Sequence, residues 1–200
     1  MAYPYHDLRE FMDACNQAGE MVTIDREVDW NLEVGAIARR ITEIGAPMAF
    51  MPKVRGCKEG FSILASPIAK GWNGDFSRVA IALGMDANTP FQTLMDEFIS
   101  RSKSPIRPLQ VATGPCKENI LTGADINLFN FPAPYLHEGD GGRYIDTFGV
   151  TACQDPDSAW VNWGVYRHMI HRKSIMGGIV NPFQHIGMIY YQKYEARNKP

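Results

Sequence analysis

The decapeptide Trp160-Val161-Asn162-Trp163-Gly164-Val165-Tyr166-Arg167-His168-Met169 decides how the second half of the chain is read. It is too aromatic for a loop and too polar for a plain core strand. Its aromatic and branched residues favour extended backbone, yet Asn162 and Arg167 stand among neighbours that would bury them. A buried guanidinium needs an anionic partner, whether carboxylate or phosphate. Strict alternation along a strand puts Asn162 and Arg167 on opposite faces. If both serve one site the chain must bulge, and Gly164 is the place for it.

Outward from this stretch the signals remain those of strands. Phe148 to Cys153, Ser174 to Val180 and Ile186 to Tyr191 read as β-runs, punctuated by the turns Gly139-Asp140-Gly141-Gly142 and Asp155-Pro156-Asp157. Upstream, Ser102-Lys103-Ser104-Pro105-Ile106-Arg107-Pro108 has the composition of a linker. It divides the chain into an N-terminal α/β domain, residues 1–105, and the beginning of a β-rich domain, residues 106–200. Within the first, Glu20 to Asp25 alternates as a strand does, and Met48 to Val54 and Phe61 to Ala65 are short β-runs. Asp29 is the expected cap of a helix carrying Leu32, Ile37, Ile41 and Ile44 on one side and ending at Gly45. Thr89-Pro90-Phe91-Gln92 has the form of a helix start, with Thr89 as cap, and Phe91, Leu94, Met95 and Phe98 then form an apolar stripe expected in the core. The fold class is α/β (α+β).

Composition narrows the function. The 200 residues are 45% hydrophobic and 21% charged with a net charge of −2, which describes a compact globular protein and argues against disorder, collagen or a coiled coil. No apolar run approaches the length of a membrane span, and the start Met1-Ala2-Tyr3-Pro4-Tyr5-His6-Asp7 is polar. Cys15, Cys57, Cys116 and Cys153 are widely spaced and read as reduced, buried thiols of a cytoplasmic protein. Residues 161–200 carry six Lys/Arg (Arg167, Arg172, Lys173, Lys193, Arg197, Lys199) against the single acid Glu195, within an otherwise acidic chain. Such a segment suits a phosphate or another anion, or is simply a solvated face. The acidic balance elsewhere and the lack of a binding motif point away from nucleic acid. The sequence holds no GxGxxG, Walker A, HExxH or GxSxG pattern.

Three segments remain for chemistry: the Trp160–Met169 stretch, Phe131 to Tyr144 and Asn181 to His185. In Phe131-Pro132-Ala133-Pro134-Tyr135-Leu136-His137-Glu138-Gly139-Asp140-Gly141-Gly142-Arg143-Tyr144, prolines hold an extended entry and glycines allow sharp turning among charged side chains. A generic surface loop looks much the same. In Asn181-Pro182-Phe183-Gln184-His185, His185 is ordinarily a satisfied structural histidine. It gains interest because Asn162 lies a hairpin's distance upstream. One imidazole nitrogen and one amide oxygen make part of a metal site, completed by a carboxylate and by phosphate or water oxygens, a mixed set suited to Mn²⁺ or Mg²⁺. His6, His137, His168 and His171 have no such pattern and read as structural or exposed.

Taken together, Phe131-Pro132-Ala133-Pro134, His137 to Tyr144, Asn162 to Arg167 and Pro182-Phe183-Gln184-His185 resemble the UbiD family of reversible decarboxylases in order, spacing and surroundings. The resemblance implies prenylated FMN, made by a UbiX-type flavin prenyltransferase and bound on a flavin-reductase-like split β-barrel that this chain begins. It implies a divalent metal, usually Mn²⁺, between cofactor phosphate and protein, often with K⁺ nearby. Asn162 and His185 become metal ligands. Asn162, Trp163, Gly164, Val165, Tyr166, Arg167, Gln184 and His185 form the cofactor-binding set, and Arg167 is the catalytic residue that steers the substrate carboxylate and pairs with the catalytic acid. The family's chemistry uses the modified flavin to stabilise charge as CO₂ leaves, and a glutamate returns the proton. The substrate class is an aromatic, in some cases hydroxylated, carboxylic acid.

The family's metal-binding carboxylate and the two acids of its Glu–Arg–Glu network are expected beyond residue 200. Glu195, in Lys193-Tyr194-Glu195-Ala196-Arg197, does not match them, and the chain stops at Asn198-Lys199-Pro200. The expectation is an incomplete catalyst: a truncation, or a split or accessory subunit that works as a homo-oligomer or with the remaining polypeptide. Strand edges around residues 174–191 would then be unpaired and adhesive. The alternatives are a non-catalytic assembly subunit and a plain FMN oxidoreductase, the second disfavoured by the Asn162…His185 pattern.

Overall fold

The computed structural model describes residues 3–198; Met1, Ala2, Lys199 and Pro200, the ends of the polar N-terminal and basic C-terminal stretches, lie outside the described residues. The α/β class holds. In the first half, α1 (Leu8–Gln17), β1 (Met21–Thr23), α2 (Glu33–Ile44), β2 (Met48–Met51), β3 (Ile63–Ala65), α3 (Ser77–Ala82) and α4 (Phe91–Ser102) follow one another. The sheet has the order β1-β2-β3, with β1 parallel and β3 antiparallel to β2. The alternation of β2 sends Ala49 and Met51 into a cluster with Val28, Val34 and Ile41 of the α2 side, and Met48 into another with Phe11, Cys15 and Ile81. Helices thus cover both faces of a small sheet. Arg78 and Glu20 meet at its edge, both fully buried and 3.0 Å apart.

Several local expectations are corrected. Asp29 does not cap α2: its carboxylate accepts from Asn31 N and from Arg55, and the helix starts behind Leu32, whose φ is 67°. That turn is set by Tyr135, whose carbonyl accepts the Leu32 N–H at 2.8 Å. Gly45 does end the helix in a left-handed conformation, but Ile44 is exposed. Thr89 spends its hydroxyl on the Asp86 carbonyl, so α4 begins after Pro90 without a side-chain cap. Of its stripe only Leu94 is buried; Phe91, Met95 and Phe98 are exposed. All four cysteines are free, but only Cys15 is buried and Cys116 is exposed. No helix of the described residues is long and apolar enough to cross a membrane.

The second half holds β4 (Tyr144–Ile145), β5 (Thr151–Gln154), β6 (Val161–Gly164), β7 (His168–Arg172), β8 (Ile175–Gly178) and α5 (His185–Ile189). They form two antiparallel sheets, β4-β7-β8 and the hairpin β5-β6. Ile186 to Tyr191, expected as a strand, is helical: α5 runs into a π-turn over Tyr190–Tyr194 and a short 3₁₀ turn over Glu195–Arg197. Few apolar side chains are buried here, chiefly Ala133, Ile170 and Ile189.

The Phe131–Tyr144 loop docks on the first half rather than lying free. Tyr135 bonds the backbone of Trp30 and Leu32, Phe131 meets Phe61 edge-on, and Arg143 lies over the Trp30 ring while donating to the Ala133 and Phe131 carbonyls. Gly35 permits this approach, since a Cβ there would overlap the Leu136 carbonyl oxygen.

Candidate functional site

The decisive stretch breaks in two. Val161–Gly164 is β6, paired with β5 so that Asn162 stands opposite Cys153, and the chain then leaves the hairpin to enter β7 of the other sheet at His168. Val165, Tyr166 and Arg167 form the connector. A change of sheet, not a bulge in one strand, therefore releases Arg167 from the alternation that Asn162 obeys. Gly164 still matters, because the Tyr166 ring folds back over it and a Cβ there would clash.

Val165, Tyr166, Arg167 and Gln184 line one cavity of about 600 Å³. Its other walls come from Tyr144 and Thr147, from Met169 and His171 of β7, from Gly177 and Gly178 of β8, and from Ile179 and Asn181 after it. Arg167 is exposed rather than buried, 5.9 Å from the Tyr144 ring centroid, and forms no ion pair among the described residues. It presents a free cation to the cavity instead of a satisfied core charge. Trp163 and Gly164 do not line this cavity, and Trp163 is 67% exposed.

Beside the cavity, His185 follows Gln184 at the start of α5. Its Nδ1 lies 3.2 Å from Asn162 Oδ1, and the Trp160 ring packs edge-on against the imidazole at 5.1 Å. Asn162 is buried, and its amide nitrogen points at the Cys153 sulfur 3.8 Å away, which turns the oxygen towards His185. With its proton on Nδ1, His185 donates a hydrogen bond to Asn162. With Nδ1 bare, two lone-pair donors converge as ligands of a hard divalent cation do. The pair fits such an ion in donor type and supplies only part of its shell, because no cluster of three His, Cys, Asp or Glu residues among the described residues could hold a metal.

Sequence reasoning missed the β7–β8 wall. His171, expected to be structural or exposed, is exposed and also stands on the cavity wall, where the β7–β8 register shifts between Ile170 and Arg172. Its ring lies against Gly177, which has no side chain to exclude it. A bulge of this kind re-aims one side chain and leaves no mark in the hydrophobic alternation. The basic segment is divided in role as well. Arg167 faces the cavity, whereas Lys193 and Arg197 bond Asp155 and Asp157.

Two family descriptions match this architecture. The 3-octaprenyl-4-hydroxybenzoate carboxy-lyase N-terminal domain matches residues 12–98, and the Rift-related domain of the same carboxy-lyase matches residues 107–200. The chain belongs to the UbiD family. It is 36% identical over 193 residues to ferulic acid decarboxylase 1 of Saccharomyces cerevisiae, covering 93% of this chain and 38% of that protein. The vanillic acid decarboxylase of Sedimentibacter hydroxybenzoicus in closed form superposes with a TM-score of 0.87 at 30% identity, over 100% of this chain and 42% of that one. An evolved dimeric form of the UbiD-class enzyme HmfF from Pelotomaculum thermopropionicum, solved with prFMN, shares the fold at a TM-score of 0.80 and 22% identity, over 96% of this chain and 42% of that one. The chain spans about two fifths of the length of the relatives it matches.

Proposed function

We propose that the polypeptide containing this chain is a reversible, non-oxidative decarboxylase of aromatic carboxylic acids that uses prenylated FMN. The observation that carries the reading is the convergence of Val165, Tyr166, Arg167 and Gln184 on one cavity, beside an Asn162–His185 pair already in contact. Two similar proteins are named for decarboxylation of ferulic and vanillic acids, and a protein of the same fold was solved with prFMN. Residues 1–105 then form the N-terminal domain. Residues 106–200 open the split barrel, which downstream polypeptide completes.

In this reading Asn162 Oδ1 and His185 would hold Mn²⁺ or Mg²⁺ together with a carboxylate from beyond residue 200, with K⁺ nearby, and the metal would supply positive charge for the cofactor phosphate. Val165, Tyr166 and Gln184 would hold the flavin in the cavity, and Trp163 and Gly164, which adjoin it from β6, would complete the flavin-binding set once the downstream polypeptide closes the site. When bound, prenylated FMN supplies the electron-accepting system that stabilises charge as CO₂ departs. Arg167 binds the carboxylate of the incoming aromatic acid through its planar fork, orients the scissile bond, and later pairs with the downstream acid that returns the proton. The cofactor comes from a UbiX-type prenyltransferase, the setting is cytoplasmic, and the polypeptide works as a homo-oligomer. A second reading, a non-catalytic assembly subunit, is favoured by one observation: among the described residues no carboxylate pairs with Arg167.

The test is CO₂ release from vanillic and ferulic acids by the full polypeptide, co-produced with the prenyltransferase and supplied with Mn²⁺. Arg167→Lys keeps the charge but loses the fork. It is expected to lower kcat/KM by about 100-fold or more, in the range set by losing one preorganised donor, with flavin retained. Turnover that survives this substitution removes Arg167 from the mechanism, and a polypeptide that retains flavin but releases no CO₂ supports the assembly reading.

A further inference from the structure

His185 reaches Asn162 only because α5 and the turns after it lie along the β5–β6 hairpin. The N-terminal end of this segment is held by the Asn181–Gln184 turn, with Gln184 N donating to the Asn181 carbonyl at 3.0 Å and Phe183 N to its side chain at 2.9 Å. The far end is held by charge. Lys193 Nζ lies 2.6 Å from Asp155 Oδ2, and Arg197 engages Asp157 through both terminal nitrogens at 2.6 and 2.8 Å. The Tyr194 hydroxyl adds a bond to the Gln154 carbonyl at 3.2 Å. Both acids belong to the turn that joins β5 to β6, and β6 carries Asn162.

Asp155 is an unusual member of that turn. It is only 5% exposed, and its carboxylate also accepts from Asp157 N and the Ser158 hydroxyl, both at 3.0 Å. Lys193 holds the Asp155 carboxyl below the ordinary carboxylate range, and Asp155 holds the Lys193 ammonium above its own. Lys193 lies in the π-turn, an irregularity that is rare and often functional.

We propose that the Asp155–Lys193 and Asp157–Arg197 pairs form a clamp that sets the Asn162–His185 spacing, making Asp155 and Lys193 positioning residues for the metal pair. The inference rests on the reading of Asn162 and His185 as metal ligands. Groups that orient ligands from outside the coordination shell characteristically change metal affinity by 10–100-fold when removed. The clamp differs from such groups in acting along a helical lever rather than through a hydrogen bond to the ligand itself.

The experiment is titration of Mn²⁺ into the FMN-loaded full polypeptide, with free Mn²⁺ counted by electron paramagnetic resonance and the melting temperature recorded for each variant. His185→Ala is the control that reports whether His185 binds the metal at all. Lys193→Met is expected to weaken Mn²⁺ by about 10-fold or more, and Lys193→Arg, which still reaches Asp155, to restore it. The double variant Asp155→Asn with Lys193→Met leaves no buried unpaired carboxylate. It is expected to recover melting temperature without recovering affinity, a separation that a merely structural ion pair would not give. If His185→Ala abolishes binding while Lys193→Met leaves it unchanged, the clamp is overturned and the metal reading stands. If His185→Ala binds Mn²⁺ as the parent does, the metal reading fails and takes the clamp with it.

Discussion

Glu20 carries more of the N-terminal half than its type would suggest. Burial alone would push its carboxyl up. The Ser77 hydroxyl at 2.6 Å, the N–H groups of Asn73 and Trp72, and the Arg78 guanidinium together bring it below its ordinary value of 4.5. Arg78 in turn donates to the carbonyls of Ala46, Ala69 and Lys70, so the pair ties α3 to both the sheet edge and the segment before the helix. Because the folded pKa lies below the unfolded one, the stabilisation is complete above about pH 4.5 and is lost as pH falls through the folded value. Glu20→Gln leaves Arg78 buried without a counter-charge and is expected to cost about 3–5 kcal/mol. Urea melts between pH 3 and 7 check both parts: the parent loses stability on the acid side, and the variant starts lower with a shallower slope. The nearby Cys15 thiol, pushed up to about 12 by burial, stays protonated throughout this range and takes no part.

At the scale of elements, the joint between the halves depends on α2 accepting the Phe131–Tyr144 loop at Gly35. Gly35→Ala places a methyl group against the Leu136 carbonyl, which is backbone and cannot swing aside. Overpacking of this kind is expected to cost about 1–3 kcal/mol and to loosen the Arg143–Trp30 stack, seen as a change in tryptophan fluorescence ahead of the main melt. That joint also shows how far sequence reaches. Most of the strands and the α2 stripe, apart from the exposed Ile44, follow from local pattern, because each is set by periodicity or turn chemistry, whereas the contact of His185 with Asn162 is made by α5 packing along the β5–β6 hairpin. The start of α2 was not legible, since the Tyr135 carbonyl, a hundred residues away, determines it. Nor was α5: Ile186-Gly187-Met188-Ile189-Tyr190-Tyr191 is a short apolar run that fits either period, and the choice falls to tertiary anchors such as Lys193–Asp155. The α4 stripe misleads for the opposite reason. Its period is helical, as expected, but Phe91 meets only the half-exposed Phe76 ring at 4.5 Å, and Met95 and Phe98 remain exposed.

For the whole molecule the two halves differ in how they are stabilised. The first encloses two apolar clusters between its helices and sheet. The second has short strands, little buried apolar surface and a row of large exposed side chains, among them Phe183 at 92%, Ile179 at 82% and Trp163 at 67%. Among the described residues the outer edge of β8 has no neighbouring strand, so its backbone groups are available for pairing. Residues 186–191, being helical, do not extend that edge, and the adhesive surface comprises the open edges of β8 and of the β5–β6 hairpin with its exposed Trp163. A 200-residue chain produced alone is therefore expected to self-associate through its second half while the first half keeps its fold. Light scattering against concentration should show growth of the mean mass well above 22.4 kDa. Hydrogen exchange should find α2 and β2 protected and β6 and β8 exchanging fast unless associated. Lysine at Ile175 and Met176, both about half exposed on the β8 edge, should restore a lower mass without altering α2 protection. A monomer that melts in one cooperative step, with β8 as protected as β2, would show instead that these two small sheets stand on their own.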